Sequence, residues 1–115
     1  MHVLIVDDDE LNCQALRRVL CAFHSVSTAV TVADALEKIN AAEPDVLLCD
    51  YELDGEVATR LLRIVGREHP RVRRVLYSGV VTERLNACLS EGLAEQTLEK
   101  PAELEEILAA ISGSA

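Results

Sequence analysis

Short apolar runs alternate with longer stretches of helical periodicity along the whole chain. These apolar runs are the strand candidates, and they lie at residues 3–6, 25–29, 45–49, 74–78 and 94–98. The first, third and fourth runs are apolar on both faces, as strands covered by helices on both sides must be. Alternation of this kind is typical of βαβ units. It therefore predicts an α/β fold, a doubly wound (βα)5 domain whose five-stranded parallel sheet has helices on both faces.

The intervals between the strand candidates have the periodicity of amphipathic helices. The apolar stripe of the first predicted helix consists of Leu11, Ala15, Leu16, Val19, Leu20 and Phe23. The third predicted helix includes Val57 in its stripe. We expect residues 1–111 to form one domain, followed by a disordered tail at residues 112–115 and by no output domain.

Composition and charge exclude several classes of protein. A formal net charge of -9 opposes phosphate backbones and anionic lipids, so we expect no direct nucleic-acid or membrane partner. The basic stretch has no interleaved aromatic residues for base stacking and is interpreted as solvated surface; it consists of Arg67, Arg71, Arg73 and Arg74. The sequence has neither a membrane-length apolar run nor a secretory signal. Four cysteines without metal-ligand spacing predict free thiols and a cytoplasmic location.

Polar residues follow four of the five strand candidates. The residues at or just after the ends of these four strands are Asp7, Asp8 and Asp9; Asp50, Tyr51 and Glu52; Ser78 and Gly79, where Ser78 ends its strand; and Lys100 and Pro101. Because open parallel sheets bind ligands at the carboxyl ends of their strands, we expect these groups to converge. Asp7, Asp8 and Asp50 offer the hard oxygen atoms that Mg2+ prefers. A carboxylate beside Mg2+ can also attack a phosphoryl group as a nucleophile.

The run of acids from Asp7 to Glu10 has a simpler interpretation as a solvated turn, in which one acid caps the following helix. We assign the cap and first-turn positions to Asp9 and Glu10. Asp7 and Asp8 remain as the predicted metal ligands.

Four motifs, VLIVDDDE, DVLLCD, VLYSG and LEKP, resemble those of the receiver domain of two-component response regulators. They occur in that order and at matching separations, and the resemblance covers essentially the whole chain. It implies a flavodoxin-like strand order, 2-1-3-4-5. It also implies that Asp50 is the phosphoacceptor, and that Asp7 and Asp8 hold Mg2+ together with the Asp50 carboxylate and the main-chain carbonyl of Glu52.

By the same resemblance, Ser78 and Lys100 would contact the phosphoryl group, and the peptide bond before Pro101 would be cis. The phosphoryl group would come from a histidine kinase or a phosphotransfer protein. The signal would then reach a downstream protein partner through changed binding, from a monomer or weak dimer. Such a domain is not an enzyme, beyond Mg2+-dependent self-phosphorylation and autodephosphorylation.

The sequence departs from the family pattern around the switch region, which we assign to Ser78, Gly79 and Thr97. Thr97 replaces the usual aromatic residue, Ala102 replaces the aromatic that commonly follows Pro101, and the loop after Asp50 is shortened. These departures support an alternative function as a phosphorylation-independent interaction module. A third alternative is a Mg2+-dependent phosphohydrolase with Asp50 as nucleophile and Glu52 as acid. It is disfavoured because the chain has no room for a substrate-binding cap domain.

Overall fold

A computed structural model describes residues 1–53, 56–79 and 82–113. Its strands are β1 (His2–Val6), β2 (Ser25–Ala29), β3 (Val46–Cys49), β4 (Glu52–Leu53), β5 (Glu56–Val57), β6 (Arg73–Ser78) and β7 (Gln96–Glu99). Five of them form one parallel sheet in the order β2-β1-β3-β6-β7, and β4 pairs with β5 in a short antiparallel ribbon. Since β6 and β7 are the fourth and fifth strands of the main sheet along the chain, this order corresponds to the predicted 2-1-3-4-5. The predicted α/β class and strand order are confirmed.

Five helices cover the two faces of this sheet. They are α1 (Glu10–Leu20), α2 (Val32–Ala41), α3 (Thr59–Glu68), α4 (Thr82–Ser90) and α5 (Leu104–Ser112). Successive strand residues point to opposite faces. Leu4 therefore packs with α2, α3 and α4, whereas Ile5 packs with α1 and α5. In the parts of the chain that the structure describes, no helix has both the length and the apolar character needed to cross a membrane.

The buried face of α1 differs from the predicted stripe. Leu11, Val19 and Phe23 are 75%, 44% and 56% exposed, respectively. Leu16 and Leu20 of the predicted stripe do pack on the sheet, together with Cys13, which the prediction leaves out. Phe23 lies in the turn beyond the end of α1, so it does not continue the helical stripe. The prediction was therefore wrong for Leu11, Val19 and Phe23, because this segment carries more apolar residues than one face of α1 can bury.

Several predicted boundaries also need correction. The predicted strand at residues 94–98 begins later, at Gln96, and Val57 lies in β5 instead of α3. Ser112 is the last residue of α5, and Gly113 caps that helix with a left-handed φ of 81°, which glycine adopts without steric cost. The predicted tail is therefore wrong for its first two residues. The described part of the chain does not include residues 54 and 55 of the loop after Asp50, residues 80 and 81 beside the predicted switch, or residues 114 and 115.

Arg74 belongs to the interior, which corrects its interpretation as solvated surface. It lies on β6 and is 8% exposed. Its Nη2 donates to Glu95 Oε1 at 2.8 Å, and its backbone N–H donates to Glu95 Oε2 at 2.6 Å. A Cβ atom on Gly66 of α3 would overlap Arg74 Nη1, so the absence of a side chain there makes room for the guanidinium group. The carboxylate of Glu95, which lies between α4 and β7, thus binds both the backbone and the side chain of Arg74 on β6.

Replacing Glu95 with Ala is expected to lower the free energy of unfolding by about 2 kcal/mol, because a nearly buried guanidinium group and a backbone N–H lose their acceptor. Urea denaturation checks this value. The matched control is Glu91→Ala, which removes an exposed carboxylate from the same turn. Equal stability of the two variants would contradict the assigned role of Glu95.

Candidate functional site

Three carboxylates meet at the carboxyl ends of adjacent strands. Asp7 and Asp8 follow β1, and Asp50 follows β3. One oxygen atom from each of the three side chains lies within 4.8 Å of the others. Asp7 is buried, Asp50 is partly buried and Asp8 is exposed, so the cluster opens to solvent on one side.

Backbone hydrogen bonds fix the positions of three of the predicted site residues. The N–H of each donates to the carbonyl of the last residue in the neighbouring strand. The pairs are Asp7 with Ala29 at 3.1 Å, Asp50 with Val6 at 2.9 Å, and Lys100 with Ser78 at 3.0 Å. Each site residue therefore extends the parallel ladder of the sheet by one step, and its Cα position is set by a neighbouring strand.

Lys100, which directly follows the edge strand β7, contacts two of the carboxylates. Its Nζ donates to Asp7 Oδ2 at 3.3 Å and to Asp50 Oδ2 at 3.1 Å. Burial lowers the pKa of the Lys100 ammonium group, but the hydrogen bond and charge of Asp50, together with those of Asp7, outweigh burial and raise the pKa above its usual value. Lys100 therefore carries its positive charge throughout the neutral range.

The buried Asp7 carboxylate is in an unfavourable electrostatic environment. Burial raises the pKa of Asp7, and the negative charge of Asp50 raises it further. The N–H of Asp9, which donates to Asp7 Oδ1 at 2.9 Å, and the positive charge of Lys100 act in the opposite direction and lower this pKa. The two carboxylates of Asp7 and Asp50 share the one ammonium group of Lys100, so negative charge exceeds positive charge in this contact. Hard oxygen donors at these separations fit a divalent cation such as Mg2+ or Ca2+, which would offset that excess.

The remaining predicted site residues lie on β4, β6 and β7 or directly after β6. Ser78 ends β6 and is buried, with Gly79 directly after it. Thr97 lies on β7 and pairs with Leu76 of β6. The N–H of exposed Glu52 donates to Asp50 Oδ1 at 3.4 Å.

Neighbours of the site have structural roles. Asp9 is the N-cap of α1, where its side chain accepts from the N–H of Leu11 at 2.9 Å, and Glu10 lies in the first turn. Both predicted roles are confirmed. The peptide bond between Lys100 and Pro101 is cis. It lies immediately after the lysine that contacts both carboxylates.

The cysteine next to Asp50 is shielded from redox chemistry. Cys49 is fully buried, and its pKa is raised by burial and by the charges of Asp50 and Asp7. Burial likewise raises the pKa of the Cys13 thiol to about 11. Since the thiolate is the reactive form, burial and a raised pKa both disfavour reaction of these thiols at neutral pH. Cys88 is buried as well, whereas Cys21 is exposed.

Sequence reasoning missed one side chain at the site. The ring of Tyr77 lies with its centroid 5.1 Å from Lys100 Nζ. Tyr77 directly precedes Ser78 on β6, so its side chain points to the opposite face of the sheet. Its position beside a predicted site residue is a signal that could have directed attention to it.

Comparisons with known proteins agree with this geometry. Residues 3–112 match the family model described as the response regulator receiver domain. The chain is 38% identical over 113 residues to the response regulator MprA of Mycobacterium avium, covering 95% of this chain and 48% of that protein. The chain thus spans about half the length of the curated relatives it matches.

Solved structures with the same fold include a response regulator receiver domain protein from Clostridium thermocellum. Its TM-score is 0.88 at 20% identity, with 97% of this chain and 91% of that chain covered. A second is a response regulator from Burkholderia pseudomallei with a phosphorylated aspartic acid, a calcium ion and citrate. Its TM-score is 0.88 at 25% identity, with 96% of this chain and 65% of that chain covered.

Proposed function

Because this chain belongs to the response regulator receiver domain family of two-component signalling, we propose that Asp50 accepts a phosphoryl group from a histidine kinase or a phosphotransfer protein. Receiver domains are signalling modules that bind a divalent metal at an acidic pocket and interact with a phosphodonor. The observation that carries the proposal is the contact of one ammonium group, Lys100, with both Asp7 and Asp50.

The transfer uses the residues at the strand ends. A carboxylate oxygen of Asp50 forms a bond to phosphorus while the bond from phosphorus to the donor nitrogen breaks, and that nitrogen keeps the electron pair. Lys100 and the hydroxyl group of Ser78 each contact a phosphoryl oxygen. Phosphoryl transfer depends mainly on positioning and charge neutralisation, which these fixed groups provide.

The metal of the pocket is Mg2+ in this proposal. The carboxylates of Asp7, Asp8 and Asp50 and the main-chain carbonyl of Glu52 would hold it. Bound Mg2+ would neutralise charge on the phosphoryl oxygens. The phosphorylated aspartic acid and the calcium ion in the Burkholderia pseudomallei response regulator support this use of an acidic pocket.

A Phos-tag gel after incubation with acetyl phosphate tests the proposal. We expect a slower-migrating phosphorylated band in the presence of Mg2+ and none in EDTA, because three carboxylates repel the incoming anion unless a cation offsets their charge. The absence of a shifted band with Mg2+ would contradict the proposed function. It would leave the phosphorylation-independent interaction module, supported by Thr97 and the shortened loop, as the preferred function.

The phosphorylated domain passes its signal on by changing its affinity for a protein partner, without an aromatic side chain at position 97. Ser78 instead moves toward the phosphoryl oxygens and pulls on the segment from Gly79 to α4, a local contact that biases a two-state element. Thr97 lacks the volume to fill or vacate a cavity during such a change. The location of the domain in the cytoplasm, as a monomer or weak dimer, stays a prediction.

A pair of NMR spectra distinguishes a switch from a static module. One is recorded without ligands, the other with Mg2+ and beryllofluoride, which stands in for the phosphoryl group on Asp50. For a switch, we expect chemical-shift changes that spread through residues 79 to 98, because the segment after Ser78 changes its arrangement. Changes confined to the residues that touch the ligand would favour the static interaction module.

A further inference from the structure

The aromatic ring of Tyr77 lies against the ammonium group of Lys100, and we infer that Tyr77 is a positioning residue that holds this group at the site. The distance from Lys100 Nζ to the ring centroid is 5.1 Å. Cations within about 6 Å of the centroid of a tyrosine ring are attracted by the negative face of its π system. The inference rests on the proposed function, in which Lys100 contacts the phosphoryl group.

The backbone places ring and ammonium group side by side. Tyr77 pairs with Leu98 of β7, and Lys100 follows two residues later along that strand's direction. The N–H of Lys100 donates to the carbonyl of Ser78, the residue next to Tyr77. Tyr77 also packs against the buried cluster beneath α1 and α5. The ring is therefore held by the core, while the lysine side chain is held at its far end by its contacts with Asp7 and Asp50.

The two carboxylates that now hold Lys100 are both committed to other partners in the proposed reaction. Asp50 forms a bond to phosphorus through one carboxylate oxygen, and Asp7 is a proposed metal ligand. Lys100 has a long flexible side chain that is 25% exposed, so its ammonium group could turn toward solvent when these acceptors are engaged. The attraction of the Tyr77 ring for the ammonium group involves neither of these carboxylates. It keeps Lys100 at the strand ends, within reach of the phosphoryl oxygens.

A role in packing alone is the alternative for Tyr77. Its ring lines a groove of about 430 Å³ between α1 and α5, together with Leu16, Val19, Leu104 and Pro101. A residue that only fills this groove could be replaced by any apolar side chain of similar size. A residue that holds a cation needs an aromatic face. Phe and Leu at position 77 separate these roles, since both are apolar and only Phe has a ring.

The contact can be measured without metal or phosphodonor. An aromatic ring shifts the NMR signals of protons above its face upfield, and the chain has only two lysines, Lys38 and Lys100. We expect the ε-methylene protons of Lys100 to lie upfield of those of Lys38, which serves as the internal reference. The upfield shift should persist in Tyr77→Phe and disappear in Tyr77→Leu. Its absence from the wild type would overturn the inference.

The functional consequence is measured with beryllofluoride and Mg2+. We expect the Kd of the beryllofluoride complex to rise about three- to tenfold in Tyr77→Leu and to stay within about twofold in Tyr77→Phe, as the loss of one cation–π contact predicts. Leu16→Ala controls for looser packing in the same groove and should bind like the wild type. If Tyr77→Leu does not fold, Tyr77→Met provides the same comparison.

The outcomes separate this inference from the proposed function. Wild-type protein that binds no beryllofluoride would refute the proposed function and with it the role of Tyr77. Wild-type binding that is matched by Tyr77→Leu would refute only the role of Tyr77. Equal weakening in Tyr77→Phe and Tyr77→Leu would also refute it, because the hydroxyl group and not the ring face would then be responsible.

Discussion

Replacing Asp50 with Asn is expected to lower phosphorylation by acetyl phosphate by more than about a hundredfold, because a side-chain amide is not a nucleophile toward phosphorus. Asn preserves the size of the side chain, and the backbone N–H of residue 50 still donates to Val6 at the end of β1. The fold and the position of the side chain should therefore be retained. The Phos-tag gel measures the loss directly, and a circular dichroism spectrum checks the fold.

The matched control is Asp9→Asn, which changes a neighbouring acid in the same way. Asp9 caps α1 through a side-chain oxygen that accepts from the N–H of Leu11, and Asn keeps such an acceptor. This variant should be phosphorylated like the wild type. Undiminished labelling of Asp50→Asn would show that another residue is the phosphoacceptor, and equal losses in both variants would point to a general effect of charge.

Mg2+ is expected to raise the melting temperature of the wild type, and Asp8→Ala is expected to abolish that rise. The rise should be on the order of 10 °C at a hundredfold excess of Mg2+ over its Kd, since ligands that bind only the folded state stabilise it by mass action. The metal-free form of Asp8→Ala should melt at the same or a higher temperature than the wild type. Fewer carboxylates then repel the buried Asp7, whose pKa is already raised by burial.

Thermal melts with and without Mg2+ measure both effects. Glu10→Ala is the control, because Glu10 lies next to the carboxylate cluster in the first turn of α1 and is not one of the three converging acids. It should keep the full Mg2+-dependent rise. A full rise in Asp8→Ala would remove Asp8 from the set of metal ligands.

The parts of the fold that follow from local pattern could be predicted from the sequence. Strands such as β3 are apolar on both faces and bounded by polar residues, so their positions were clear. The convergence of Asp7 and Asp50 followed from a general rule about the carboxyl ends of parallel strands. Neither prediction depends on how a particular helix packs against the sheet.

Features that depend on tertiary partners could not be predicted in this way. Leu11 and Val19 have the same apolar character as Leu20, and only the docking of α1 on the sheet decides which side is buried. The partner of Arg74 is Glu95, 21 residues away, and nothing local connects them. The contact of Tyr77 with Lys100 likewise arises from the pairing of β6 with β7.

The separation of the site residues along the chain connects binding to folding. Lys100 and Asp7 touch although 93 residues separate them, and Asp50 reaches Lys100 across 50 residues. Such non-local contacts form only after the entropy of closing long loops has been overcome. A partly folded chain with its last strand undocked therefore has the acids without the lysine. Occupancy of this pocket reports the fraction of molecules whose sheet is complete, and each ligand bound there stabilises the whole cooperative unit instead of one loop.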